Sequence, residues 1–201
     1  MKPIIYLQGG LGNQMFQYAF FLAIKEQYPN AICCSSLISE KDHNGYELKR
    51  LFNIKCTQSI ILLYIAKLFR RLIYKKQHNV INLLNHFNVA LIKDSIPSHY
   101  MPNIFTSSNK FYTFFLGYWQ TEKYFRNIEN KIRLVFRFNE NMLSEKRKII
   151  AKEIKNSNSV SIHVRRGDYL YSQYQSLYGN ICTISYYHKA IQLIQQKYER
   201  T

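Results

Sequence analysis

Ile4-Ile5-Tyr6-Leu7-Gln8-Gly9-Gly10-Leu11-Gly12-Asn13-Gln14-Met15-Phe16-Gln17-Tyr18-Ala19 reads as a short apolar strand, a glycine-rich turn and the opening of a helix. Strand, turn and helix in that order form the unit from which parallel α/β sheets are built. Gly10 and Gly12 match the first two glycines of a dinucleotide-binding turn, but Met15 stands at the third position. A bulky side chain there blocks close helix–strand packing, so a nicotinamide dinucleotide is not expected. What remains is a tight loop at a helix amino terminus, whose free N–H groups and dipole favour an anion. Gly10, Gly12 and Asn13 are therefore candidate binding residues, whereas Met15, Phe16 and Ala19 read as core.

The alternation continues along the chain. The first helix runs to Gln27 and is ended by Pro29-Asn30; Ala31 to Ser35 reads as a second strand, and Asp42 to Gly45 as a turn. Residues 59 to 94 read as mostly helical, with an asparagine-rich break from Asn79 to Asn88, and Pro97 to Asn109 as loop. Phe111 to Leu116 is an aromatic strand, and a helix is expected after Thr121, whose hydroxyl can cap it. Glu140 to Lys155 has the pattern of a charged amphipathic helix, and Asn156-Ser157-Asn158 marks a domain boundary, dividing the chain into residues 1–157 and 158–201. The pattern predicts an α/β fold with a mainly parallel sheet.

A second stretch carries chemistry. In Val160-Ser161-Ile162-His163-Val164-Arg165-Arg166-Gly167-Asp168-Tyr169, apolar and polar residues alternate as in a strand and then meet two arginines, a glycine and an aspartate. Such a loop would lie at the carboxyl end of its strand, where open α/β sheets bind ligands. Guanidinium forks match phosphate oxygens in pairs and keep their charge, so the pair suits a diphosphate. Gly167 permits a sharp turn, and Asp168 can brace a guanidinium or accept a proton.

Four blocks together resemble the α-1,2-fucosyltransferase family: Gly9 to Ala19, Gly117-Tyr118-Trp119-Gln120-Thr121-Glu122-Lys123-Tyr124-Phe125, the arginine loop, and Cys182-Thr183-Ile184-Ser185-Tyr186-Tyr187-His188-Lys189-Ala190-Ile191. The resemblance implies a GT-B fold of two Rossmann-like domains. The first, 1–157, would be the acceptor side; the second, 158–201, would be the incomplete start of the GDP-fucose-binding domain, because the chain stops within a helix carrying Tyr187, Ala190, Ile191, Ile194 and Tyr198 on one face. It further implies inverting transfer of L-fucose from GDP-fucose to a sugar hydroxyl, such as a galactoside 2-hydroxyl. Gly10, Gly12, Asn13, Arg165 and Arg166 would bind the donor, and Trp119 and Gln120 the acceptor. Arg165, Asp168 and His163 form the catalytic set, with His163 expected to hold the loop or touch the donor.

Composition bounds the alternatives. Four cysteines (33, 34, 56 and 182) form no C-x-x-C pair, which suits a reducing cytosol, and the six histidines show no metal-ligand spacing. Met1-Lys2-Pro3 leads directly into a strand, so no secretory signal is expected and a cytosolic enzyme, peripheral on the inner membrane, is the expected setting. The formal net charge is +16. The densest basic zone, Lys67, Arg70, Arg71, Lys75 and Lys76, follows the apolar run Ile60 to Ala66 and suits an anionic membrane surface carrying lipid-linked acceptors. The rival reading is an inactive basic protein that binds a membrane or nucleic acid on the same scaffold. The basic residues are dispersed, however, and no nucleic-acid motif is visible, so no nucleic-acid partner is expected.

Breaking the bond to GDP leaves negative charge on the β-phosphate. The three aspartates, Asp42, Asp94 and Asp168, form no Asp-x-Asp pair to hold a metal. Arginines and backbone N–H groups would then supply the positive field without a metal or other cofactor, at ~2.7–4 kcal/mol per preorganised donor. Arg165 is assigned to the β-phosphate, with Arg166 supporting it or pairing with Asp168. Three sources of the general base stay open: Asp168, a residue beyond Thr201, or a donor phosphate oxygen. Arg165→Ala is expected to abolish fucosyl transfer and Arg165→Lys to leave it abolished, since lysine lacks the fork; full activity of the lysine variant would remove the clamp. Transfer by a full-length version should also persist in excess EDTA, and an absolute need for Mn²⁺ or Mg²⁺ would refute metal independence.

Overall fold

The computed structural model describes residues 1–39, 44–94, 99–164 and 181–198. It divides into two units, Met1–Leu143 and Ser144–Thr201. In the first unit β1 (Lys2–Tyr6) lies between β2 (Ile32–Cys34) and β4 (Tyr112–Leu116), and β3 (Val89–Lys93) closes the far side of β4. Every pairing is parallel, with Ile4 level with Ile32 and Phe114, and Ile92 level with Phe115. The helices are α1 (Leu11–Gln27), α2 (Glu47–Phe52), α3 (Ile60–Tyr74), α4 (His78–Leu84) and α5 (Glu129–Val135).

A parallel sheet covered on both faces has no side to show to water, which is why Pro3 to Leu7 is buried without interruption. Alternate side chains then serve two separate cores. Ile5, Leu7 and Phe115 pack with Phe20 and Ile24 of α1, whereas Ile4, Tyr6 and Phe114 pack with Ala66, Phe69 and Leu72 of α3. Ala19 to Ile24 is buried throughout, so this stretch of α1 is enclosed on all sides. Its outer covering comes from Phe105, Phe125 and Phe136, whose rings lie 5.9, 6.1 and 6.2 Å from Phe20, Phe16 and Tyr18. α3 begins at Ser59, whose Oγ accepts from the Leu62 N–H at 3.3 Å, and Tyr6 Oη donates to the Leu62 carbonyl at 2.9 Å.

Several expectations change. Val89 to Lys93, read as part of a helical stretch, is strand β3. Asn88 makes the switch: it takes a left-handed φ of 61°, its Oδ1 accepts from Phe111 N–H at 2.9 Å, and its carbonyl accepts from Tyr112 N–H at 3.1 Å. The helix after Thr121 is a single 3-10 turn, Glu122–Tyr124, with the Thr121 hydroxyl accepting from Lys123 N–H at 3.5 Å. Glu140 to Lys155 breaks into a 3-10 turn, Glu140–Met142, and a helix, α6 (Glu145–Lys155). The turn placed at Asp42 to Gly45 falls partly outside the described residues, and α2 follows it.

The second unit contains α6 and α7 (Ile184–Tyr198), neither with a buried residue. Val160 to Val164, expected as a strand, pair with no strand among the described residues, and Ile162 is 51% exposed. A strand needs a neighbour for its hydrogen bonds, and none is described beside it. Tyr187, Ala190, Ile191 and Ile194 of α7 do share a face, and with Ile162 they line a cavity of about 510 Å³.

Candidate active site

The strand order β2-β1-β4-β3 reverses direction between β1 and β4, because β1 leads to β2 on one side while the later strands lie on the other. The crevice beyond the carboxyl ends of those two strands is where open α/β sheets place ligands. Two loops meet there, Gln8 to Gly12 after β1 and Gly117 to Thr121 after β4.

Two glutamines of α1 hold the loops. Gln17 is fully buried; its Oε1 accepts from Gln8 N–H at 2.8 Å and its Nε2 donates to the Gly117 carbonyl at 3.1 Å. Gln14, also fully buried, donates to the carbonyls of Gly9 and Gly45 at 2.8 and 2.9 Å and accepts from Glu47 N–H at 3.1 Å. In the sequence these residues stand three apart on one helical face, next to the apolar run Ala19 to Ile24.

Sterics fix the same loops. Gly9 has a φ of 76°, and a Cβ there would stand 2.6 Å from Asn13 Nδ2. A Cβ on Gly117 would stand 2.4 Å from the Cβ of Asp94. Asp94 Oδ2 in turn accepts from the N–H groups of Tyr118 and Trp119 at 3.3 and 3.2 Å. Trp119 adopts a φ of 54°, a strained value for so large a residue.

The predicted residues fall as follows. Asn13 and Gln120 come together, with Gln120 Nε2 donating to Asn13 Oδ1 at 2.7 Å. Gly10 caps α1 with no side-chain bond, and the first helical N–H to find a backbone acceptor is that of Gln14, which donates to Gly10 at 3.0 Å. Gly12 is exposed, with nothing within 4 Å of an added Cβ, so its main chain is open to approach. Trp119 is a correction. Its ring is 0% exposed and stacked on Phe20 at 4.5 Å, so it belongs to the core and presents no face to an acceptor. Tyr124, in the same block, donates to the His99 carbonyl and accepts from Met101 N–H. Burial raises its phenol pKa and keeps it a neutral strut. In the second unit, His163 is exposed and its carbonyl lies 3.5 Å from Tyr187 Oη. Arg165, Arg166 and Asp168 lie outside the described residues. Among the described residues no group of three His, Cys, Asp or Glu side chains could hold a metal, and no helix is long and apolar enough to cross a membrane.

The family described as glycosyl transferase family 11 matches residues 2–201. The chain is 30% identical over 197 residues to an α-1,2-colitosyltransferase of Escherichia coli, covering 96% of this chain and 63% of that protein. It is 28% identical over 215 aligned positions to the O-antigen biosynthesis glycosyltransferase WbnK of Escherichia coli, covering 94% of this chain and 67% of that protein. The chain thus spans about two thirds of the length of these relatives. No solved structure matches it. Gln17→Leu is expected to leave the Gln8 N–H and the Gly117 carbonyl unpaired, at about 1–3 kcal/mol each. A urea titration should show that loss, and an unchanged midpoint would mean that the two loops hold without the bridge.

Proposed function

The chain belongs to glycosyltransferase family 11, and from that membership we propose that it serves inverting transfer of L-fucose from GDP-fucose to a galactoside 2-hydroxyl of a glycan. The match over residues 2–201 carries this reading, and the "α-1,2" in a relative's name supports the linkage. The four-stranded parallel sheet suits the first Rossmann-like half of a GT-B fold, with the donor side in the second unit. Arg165 would grip the β-phosphate as its bond to the sugar breaks, Arg166 and His163 would support that loop, and Asp168 is the candidate for taking the acceptor proton. Gly10, Gly12 and Asn13 offer N–H groups and an amide to donor or sugar. Gln120, bonded to Asn13, would contact the acceptor.

A second donor is favoured by one observation, the colitosyltransferase among the relatives. Calorimetry separates the readings. The chain should bind GDP-fucose, or the GDP form of colitose, at least tenfold more tightly than UDP-sugars, and indifference among nucleotide sugars would overturn the assignment in favour of a basic binding protein. Peripheral contact with a membrane is the other half of the reading. Lys67, Arg70 and Arg71 are exposed on α3 together with Ile60, Ile61, Tyr64 and Leu68. The chain should float with anionic vesicles at low salt and separate from them at high salt; failure to float at low salt would dismiss the contact.

A further inference from the structure

A cavity of about 690 Å³ opens beside the β1–β4 crevice, within the first unit. Its walls come from Gln8 after β1, Lys93 and Asp94 at the end of β3, Leu116 to Tyr118 at the end of β4, and Arg70, Arg71 and Tyr74 from the last turns of α3. Three cations, Arg70, Arg71 and Lys93, therefore converge on one space from two different elements. The ion pairs of the described residues engage Arg50, Arg126, Lys131, Arg133 and Lys148, and none of these three. Among the described lining residues the one carboxylate is Asp94, whose Oδ2 accepts from the Tyr118 and Trp119 N–H groups.

The bland explanation is a solvated basic surface. Arg71 sits in the last turn of α3 and is favoured there by the helix dipole. That accounts for one cation and not for Lys93, which reaches the same cavity from a strand. Asp94 offsets only one of the three charges, so the cavity keeps a positive field, and concavity sharpens it. The volume lies in the range of small-molecule sites, roughly 300–1,000 Å³, and exceeds what an inorganic anion needs. Tyr74, 88% exposed, and Tyr118 add aromatic faces to the lining, of the kind that pack on the apolar side of a sugar ring.

We propose that this cavity binds the phosphate of a sugar-phosphate ligand, with Arg70, Arg71 and Lys93 holding the anion and Tyr74 and Tyr118 flanking the sugar. Resting on the transferase reading above, this makes the acceptor a glycosyl phosphate, since that reading gives the donor to Arg165 and to Gly10, Gly12 and Asn13, and those three are not in this lining. A phosphate could equally come from the donor nucleotide, and the test separates the two.

Calorimetry at low salt would use galactose 1-phosphate, inorganic pyrophosphate and galactose as probes, with the 201-residue chain and the triple variant R70Q/R71Q/K93Q. All three positions are exposed, and circular dichroism would check the fold of the variant. Galactose 1-phosphate should bind, at least tenfold more weakly in the triple variant and to an intermediate degree in Lys93→Gln alone, whereas galactose should bind far more weakly and equally to both proteins. Saturating GDP should leave galactose 1-phosphate binding intact. Competition by GDP would overturn the acceptor assignment and give the cavity to the donor. No binding of galactose 1-phosphate or pyrophosphate, or equal binding by the folded variant, would overturn the site itself. Binding of GDP-fucose, measured separately, reports on the transferase reading whichever way these results fall.

Discussion

One buried amide joins the two strands that frame the crevice. Gln17 takes the N–H of Gln8 and gives a hydrogen to the carbonyl of Gly117, so the exits of β1 and β4 are fixed to the same side chain. A fully buried amide is tolerable only when its partners are present, and both are. Around that bridge, Gln14 anchors the other side of the first loop, Asp94 anchors the second, and Asn13 and Gln120 meet where the loops converge. Leucine in place of Gln17 would fill the same space and hold neither loop.

The two cores explain why so short a sheet stands. Each central strand sends one set of side chains to α1 and the other to α3, and the rings do most of the filling: Phe20 alone meets Phe105, Phe115, Trp119 and Tyr124 within 6 Å. That packing also decides the fate of Trp119. Its backbone is held in an unfavourable conformation by the Asp94 carboxylate, and the stacking on Phe20 offsets the strain. The ring assigned to an acceptor sugar is thus what ties the second loop to the core.

The central sheet was largely legible. β1 and β4 show as apolar runs because both of their faces are covered, and α1 shows because it follows a glycine turn and stops before Pro29. β3 was hidden, since Val89 to Lys93 is short, follows a helix directly, and owes its start to the left-handed Asn88, a feature of backbone geometry rather than pattern. The face of α7 was visible from spacing alone, whereas Val160 to Val164 alternated as a strand should and found no partner among the described residues. Of the site, Asn13 and Gln120 were named for separate roles, and only the fold showed them bonded. The roles of Gln14, Gln17 and Asp94 do not show in the sequence, because an enclosed polar side chain is recognised by what surrounds it, and the surroundings come from distant segments. The arginine loop, the strongest chemical signal in the sequence, lies outside the described residues.

Distance along the chain has a kinetic side. The Gln17–Gly117 bond closes a separation of 100 residues and the Asn13–Gln120 bond one of 107. Contacts so remote in sequence bring loop-closure entropy before any reward, and they slow folding. During synthesis α1 would leave the ribosome long before its glutamines can meet the β4 loop, and at about 5–20 residues per second the wait lasts about 5–20 s. For that interval the two amides, and the apolar flanks of α1 around them, must make do with water or with a chaperone.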